Sequence, residues 1–440
     1  MFGMGVRTRQ YFSKIKGPAN SAVVMLGAGA SAQLGGPLVR GFIDLAKDGL
    51  QQGQFSDDEN WAINDTLKLY GNLREKFLLT EEDIDNIETL ISFSDLSSLV
   101  STNSSKKLFS GEISNSVRQF VDLILTKNII VPSVSSCQWA NTREGISVKK
   151  LVAAQGYYQD RLSVISLNYD CILEYASHSM GLGFTYNRKM GTGSEILKLH
   201  GSLNWLKCSR EHCWIEPLAY SNLDSKDFEN GILSRKGNQC SQCEKPGIPI
   251  IVPPTWSKEI PKEILKNTWS QALEALEKAE CFVSIGYSLP IGDQHVRNLL
   301  HLGFSSGKLR QAVIIVGNDK LAADRWETFF RPWWRQGRLK IVQTNFEAMA
   351  IDDFYAGLGI PETELKNVSQ SLLPLASDSL ESDQSMTEKL HSNVDWGEVQ
   401  KQLRKGAENE NVRILNEIIG DWKPSGEILP THGQNLGLTS

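Results

Sequence analysis

Residues 21–31 read SAVVMLGAGAS, and this stretch decides the fold. Its first part, 23–26, is a continuous aliphatic run, which is typical of a strand buried on both faces of a parallel sheet. Gly27 and Gly29 follow, and glycine permits the tight turn that ends such a strand. The stretch therefore predicts the first strand of an α/β sheet, followed by a turn and a helix.

Further aliphatic and β-branched runs of the same kind recur along the chain. They span residues 164–167, 196–199, 282–285, 313–316 and 339–342. Strands of this composition are found in parallel sheets that helices cover on both sides. We therefore predict an α/β fold with a doubly wound, Rossmann-like parallel sheet.

The rest of the chain is expected to form insertions and a tail. Helical periodicity between the first two strands indicates a helical insertion, and a polar, cysteine-bearing stretch indicates a smaller one. We predict an N-terminal arm (1–20), a main domain (21–368) containing the helical insertion (46–155) and a small zinc-binding insertion (206–248), a flexible linker (369–395) and a helical tail (396–440).

Composition narrows the class of protein. The chain has 440 residues, of which 40% are apolar and 22% charged, as in globular proteins. No apolar run approaches the roughly 18 residues of a membrane span, so we expect a soluble protein without a membrane partner. The net charge of −5 argues against a nucleic-acid-binding surface over the whole chain. Seven cysteines, an odd number, favour a reducing compartment, the cytoplasm.

Two close cysteine pairs indicate a structural zinc site. Cys208 and Cys213 form the first pair, and Cys240 and Cys243 follow after 26 intervening residues. Zn²⁺ prefers four tetrahedral thiolates, which two short-spaced pairs on facing turns supply with little strain. His212 could replace Cys213 as a ligand, and the alternative to zinc is a set of surface cysteines without metal.

Polar residues stand directly after the predicted strands. They are Asn-Tyr-Asp at 168–170, His-Gly-Ser at 200–202, Gly-Tyr-Ser at 286–288 and Gly-Asn-Asp at 317–319. Alone, Asn168 could be a helix cap, His200 a structural histidine and the glycine pair a plain turn. Ligands of open parallel sheets bind outside the carboxyl ends of the strands, so the joint placement of these residues predicts a functional site.

In this order, these motifs resemble the sirtuins, and more closely the sirtuin-like NAD hydrolases of bacterial antiphage defence. The resemblance rests on residues 27–31, 168–170 and 200–202, the two cysteine pairs and the GYSLP segment 286–290. It covers about residues 21–346 except the helical insertion. It implies a Rossmann-like domain that binds NAD in the inverse orientation to dehydrogenases and cleaves the nicotinamide glycosidic bond.

The resemblance also implies roles for single residues. Asn168 and Asp170 would line the nicotinamide and ribose pocket, and His200 would be the general base. A histidine suits this role because its pKa is near neutral, and an asparagine can orient water or a ribose hydroxyl. The residues that would hold the ADP-ribose part are Gly27, Ala28, Gly29, Ser31, Gly286, Ser288 and Asn318. The helix expected after Ser31 would present free N–H groups to the pyrophosphate.

Three activities stay open on the sequence. They are an NAD hydrolase that depletes NAD in antiphage defence, an NAD-dependent lysine deacylase, and a silent NAD- or ADP-ribose-binding module of a larger assembly. Where sirtuin deacylases carry GIPDFR, residues 35–40 read GGPLVR, which lacks the aromatic residue. Where they pair with the substrate peptide, residues 251–255 read IVPPT, and prolines cannot donate ladder hydrogen bonds. Both departures favour the hydrolase.

The resemblance further implies how the protein acts with partners. We expect a homo-oligomer, with a separate partner protein such as an ATPase or a phage-sensing subunit. NAD is the expected substrate, and Zn²⁺ the expected structural metal.

The cysteine spacing generates the first testable prediction. Purified protein should carry about one zinc ion per chain, and Cys240→Ser should lower both the zinc content and the thermal midpoint, because the metal stabilises the fold that binds it. Elemental analysis and thermal unfolding measure these quantities. Cys137→Ser is the control, since Cys137 has no closely spaced partner. Metal-free protein, or a Cys240→Ser variant with unchanged zinc, would contradict the assignment.

Overall fold

The structure is a computed structural model. It describes residues 7–12, 19–76, 84–100, 111–129, 148, 151, 154–155, 158, 161–179, 184–186, 194–207, 214–215, 248–252, 264–334, 336–344 and 351–360. The strands are β1 (Arg7–Phe12), β2 (Ala22–Leu26), β3 (Leu162–Ser166), β4 (Phe184–Thr185), β5 (Ser194–Lys198), β6 (Gly201–Lys207), β7 (Trp214–Ile215), β8 (Ile248–Ile251), β9 (Cys281–Ile285), β10 (Gln311–Ile315) and β11 (Arg338–Gln343).

Helices connect these strands. They are α1 (Phe42–Gln51), α2 (Asp57–Lys76), α3 (Ile87–Val100), α4 (Gly111–Asn128), α5 (Ile172–Ser179), α6 (Ile264–Lys278), α7 (Gln294–Phe304), α8 (Lys320–Phe329), α9 (Arg331–Trp334) and α10 (Ile351–Gly357). In the described part of the chain, no helix is both long and apolar enough to cross a membrane.

The main sheet confirms the predicted fold class. Its strand order over the described residues is β1-β11-β10-β9-β2-β3-β5-β4, and β2, β3, β4, β5, β9, β10 and β11 run parallel to one another. β1, from the predicted arm, pairs antiparallel with β11. The order reverses between β2 and β9, which is the switch point where doubly wound sheets bind ligands. Each predicted apolar run falls on one of the parallel strands.

Both faces of this sheet are buried. Successive side chains of a strand point to opposite faces, and every residue of β2, β3, β9 and β10 is buried. Val24, Val164 and Val283 belong to one core, which they share with apolar residues of α1, α2, α3 and α4. Ile165 and Phe282 belong to the second core, with residues of α6, α7 and α8. The helices between β2 and β3, with α5 and α10, therefore cover one face, and α6, α7 and α8 cover the other.

A small antiparallel sheet continues from β5. Its order is β7-β6-β8, and β6 begins directly after the turn at 199–200 that ends β5. Gly201 at this junction has φ of 83°, and a Cβ there would lie 2.0 Å from the carbonyl oxygen of Ile250. Residues 208–213 and 216–247 lie outside the described residues, as do the four proposed zinc ligands, the linker and the tail. Those predictions stay predictions.

The loops after β2 and β9 touch backbone to backbone. The N–H of Gly27 donates to Ile285 O at 2.9 Å, and that of Gly29 donates to Gly286 O at 3.0 Å. A Cβ on Gly29 would lie 2.8 Å from the Cα of Gly286, and one on Gly286 would lie 2.3 Å from the amide nitrogen of Ala30. Neither loop has room for a side chain at the contact.

This contact generates a prediction with a matched control. Gly286 and Gly307 have φ of 67° and 71°, but a Cβ on Gly307 meets nothing within 4 Å. An alanine at either position adopts a strained backbone, which costs about 1–3 kcal/mol. Gly286→Ala also meets the other loop, so it should cost at least about 1 kcal/mol more than Gly307→Ala. Unfolding by urea measures the difference, and equal losses would contradict the close contact.

Candidate functional site

The turns after β2, β3 and β5 lie side by side at the carboxyl edge of the sheet. Backbone bonds extend the ladders just past the strands, from Leu167 N to Leu26 O at 2.9 Å and from Leu199 N to Ser166 O at 3.0 Å. The residue after each of these donors is polar: Asn168 follows Leu167, and His200 follows Leu199. The structure thus places these two predicted site residues on neighbouring strand ends.

Asn168, Ser31 and Asp170 form a buried hydrogen-bonded cluster. The side-chain amide of Asn168 donates to Gly27 O at 2.9 Å and to Ser31 Oγ at 3.0 Å. Ser31 Oγ in turn donates to Asp170 Oδ2 at 2.7 Å. Both amide hydrogens of Asn168 hold the β2 turn, so its side-chain oxygen, which has no hydrogen-bond partner among the described residues, is the atom available to a ligand.

Asp170 also fixes the start of α5. Its Oδ1 accepts the N–H of Ile172 at 3.1 Å, in the manner of an N-cap residue. Both carboxylate oxygens are therefore bound within the protein. Asp170 organises the turn in this structure, and a direct contact with the nicotinamide ribose stays a prediction.

His200 is 5% exposed, and its ring makes no hydrogen bond to any described residue. Its backbone oxygen accepts the N–H of Val252 at 2.9 Å, which anchors the turn to β8. Burial lowers the pKa of His200 below its ordinary value; the charge of Asp293 opposes this shift and that of His295 adds to it. At neutral pH the imidazole is therefore uncharged and can accept a proton.

The predicted helix after Ser31 is not an α-helix. Residues Ala28–Ala30 and Ala32–Leu34 form two short 3₁₀ turns, and the first α-helix begins at Phe42. Within this turn the N–H groups of Gly27, Gly29, Ala30 and Ser31 all donate to backbone oxygens of the protein. The glycines thus allow the two loops to pack together. No α-helix begins directly after this turn, so the expected helix N-terminus is not present at Ser31.

The remaining predicted ADP-ribose residues lie farther along the same edge. Gly286 packs on Gly29, and the backbone oxygen of Ser288 accepts a hydrogen bond from Arg325 Nε at 2.7 Å. Asn318 is exposed in the turn after β10. No hydrogen bond within the described residues joins Asn318 to the other predicted residues, so its role stays a prediction.

Sequence reasoning missed a buried ion pair beneath the Asn168 turn. Lys198 Nζ lies 3.4 Å from Glu174 Oε1 and donates to the backbone oxygen of Asp170. Burial lowers the pKa of Lys198, but the charges of Glu174, Cys171 and Asp170, with the hydrogen bond to Glu174, together outweigh it and raise the pKa overall. The only signal in the sequence was a lysine inside an otherwise apolar run.

A carboxyl group of the helical insertion was also missed. Burial, with a further contribution from the charge of Asp293, raises the pKa of Glu88 to about 7. Asp293 is the N-cap of α7 and accepts the hydroxyl of Tyr287 at 2.5 Å. The hydroxyl of Tyr169 is buried without a hydrogen-bond partner in the described part of the chain. No local sequence pattern indicates that Glu88, Asp293 and these two tyrosines interact, because they come from distant segments.

The described elements define a doubly wound α/β protein with a polar candidate site at the carboxyl edge of its sheet. No family model matches the chain, and no curated protein matches it. Among solved structures, it is similar to Sir2 in complex with the inhibitor EX-527, 2′-O-acetyl-ADP-ribose and a deacetylated p53 peptide. The identity is 13% and the TM-score 0.29, over 68% of this chain and 82% of that one. A likeness at this level carries no argument about activity.

The environment of His200 predicts its titration. Its ring should gain a proton at lower pH in the folded protein than histidine does in the denatured chain, where the pKa is about 6.5. The unfolded chain therefore binds this proton first as the pH falls, so His200 lowers stability below about pH 6.5. Histidine-selective NMR measures the midpoint, and His200→Gln identifies the signal. A folded-state midpoint at or above 6.5 would contradict this description.

Proposed function

We propose that this chain is an NAD hydrolase that cleaves the nicotinamide glycosidic bond to give nicotinamide and ADP-ribose. The motifs that resemble sirtuin-like NAD hydrolases support the proposal. The observation that carries it is the pairing of Asn168, whose side-chain oxygen is available, with a neutral His200 on the adjacent strand end.

The reaction needs little more than this pair. The bond between ribose C1′ and the ring nitrogen breaks, and its electrons pass to the positively charged nitrogen, so nicotinamide leaves as a neutral molecule. Water forms the new bond to C1′, and His200 accepts its proton. Asn168 orients the water or a ribose hydroxyl through its side-chain oxygen. The products are nicotinamide, ADP-ribose and one proton.

The outer edge of β8 favours water over a substrate peptide. Val252 N donates to the oxygen of His200, in the turn just before β6, so the carbonyl of the preceding Ile251 points to the other edge of β8. Arg118 Nε of α4 donates to this carbonyl at 3.2 Å, and two bonds of 2.8 Å to Asp95 hold the guanidinium in place. A peptide that added a strand here would have to displace Arg118, which supports the hydrolase over a lysine deacylase.

The resemblance extends the proposal beyond the reaction. We propose a cytoplasmic antiphage effector that depletes NAD as a homo-oligomer, together with a separate partner such as an ATPase or a phage-sensing subunit. A zinc ion bound by the two cysteine pairs would be structural and would take no part in bond cleavage.

One incubation with NAD tests the activity. We expect release of nicotinamide and ADP-ribose at a rate that an acylated lysine peptide does not change. His200→Ala and Asn168→Ala should each reduce turnover by about 100-fold or more, because each removes a group that acts on the reacting atoms. Liquid chromatography of the products provides the measurement.

The exposed His301, which stacks on Phe329 at 4.3 Å, provides the control. His301→Ala should keep the wild-type rate. Turnover that requires the peptide would favour a deacylase, and tight binding of NAD without turnover would favour a silent module. Either result would overturn the proposal, and so would a turnover close to that of the wild type in His200→Ala or Asn168→Ala.

A further inference from the structure

Lys198 is a charged side chain in an apolar environment. It is 1% exposed and follows Ile196 and Leu197, whose side chains are fully buried. Burying an ammonium group is costly unless it is paired, and an apolar residue of similar size would fill the same space at lower cost. Packing alone therefore does not account for a lysine at this position.

The ammonium group joins three elements of the fold. It pairs with Glu174 of α5 at 3.4 Å and donates to the backbone oxygen of Asp170, in the turn between β3 and α5. Lys198 itself is the last residue of β5. The hydroxyl of Tyr186 donates to the same oxygen, Glu174 Oε1, at 3.0 Å and helps to fix the carboxylate.

These bonds connect the two proposed catalytic residues. His200 lies two residues after Lys198, and Asn168 lies two residues before Asp170. The main-chain ladder between the two strands ends at the bond from Leu199 to Ser166. Beyond that point two contacts hold the 168–170 turn: Leu203 N of β6 donates to Tyr169 O at 2.9 Å, and Lys198 donates to Asp170 O. Ser31 connects Asp170 to Asn168, because its hydroxyl donates to Asp170 and accepts from the amide of Asn168.

We propose that Lys198 is a positioning residue for NAD cleavage, which holds the 168–170 turn at a fixed distance from His200 through the carbonyl of Asp170. The inference rests on the proposed function. A general base and the group that orients its water must be placed to within about 1 Å, and a displacement of that size can cost about 100-fold in rate. A small cavity of about 30 Å³ beside Lys198 and Asn168 gives the Asp170 end of the turn room to shift once this bond is lost.

The test uses Lys198→Met, which keeps the length of the side chain and removes its donors. We expect kcat for NAD to fall by about 30- to 100-fold while KM changes by less than about threefold, since geometry is lost and the binding groups remain. The double variant Lys198→Met with Glu174→Gln also removes the unpaired carboxylate. Its thermal midpoint should recover relative to the single variant, but its kcat should stay low.

Glu195→Gln is the matched control. Glu195 is buried on the same strand and accepts Ser163 Oγ of β3 at 3.0 Å, at the opposite end of the two strands. The variant should keep wild-type kcat. If the double variant recovers kcat together with stability, or if Lys198→Met keeps wild-type kcat, Lys198 has only a structural role and the inference is overturned.

Hydrogen exchange provides a readout that does not depend on turnover. Amides of the segment 167–171 should exchange faster than in the wild type in Lys198→Met and in the double variant. Their exchange rates should be unchanged in Glu195→Gln. Unchanged exchange in all three variants would overturn the inference even if the wild type does not cleave NAD. Absence of cleavage by the wild type would instead contradict the proposed function.

Discussion

The backbone contact between the loops after β2 and β9 is the constraint on which the site depends. These strands lie side by side where the strand order reverses, and Gly29 and Gly286 let their loops approach without side chains between them. The contact fixes the turn that carries Ser31, and Ser31 links Asn168 to Asp170. A bulkier residue in either loop would therefore move polar groups that lie on a different strand.

Burial acts on two neighbouring side chains with opposite results. His200 and Lys198 are both almost inaccessible to water, and burial lowers the pKa of each. His200 has no hydrogen-bonded anion in the described part of the chain, so its pKa falls and the ring stays neutral. Glu174 lies against Lys198, and its charge, with those of Cys171 and Asp170, raises the pKa of Lys198 above its ordinary value. A neutral imidazole and a buried cation thus lie two residues apart in the sequence.

The sequence predicted much of this arrangement and missed identifiable parts. Apolar runs revealed the central strands, and the carboxyl-edge rule brought Asn168 and His200 to neighbouring strand ends. β4 and β7 were missed because strands of two residues have no periodicity. β1 was missed because its first four residues are polar, so it lacks the apolar run of the central strands. Glu174 could not be paired with Lys198, since the two lie on different elements and meet only in the folded chain.

The contacts at the outer edge of β8 bear on whether a peptide strand can add there. Arg118 binds the outer carbonyl of Ile251, and the very next residue, Val252, donates the bond that anchors His200. A peptide strand added to this edge would compete with Arg118 for the carbonyl of Ile251, next to the bond that anchors the turn of His200. Under the proposed hydrolysis, water would need no strand edge and would leave both bonds in place. The helical insertion supplies Arg118 and also covers one face of the sheet, so it links that core to the edge of β8.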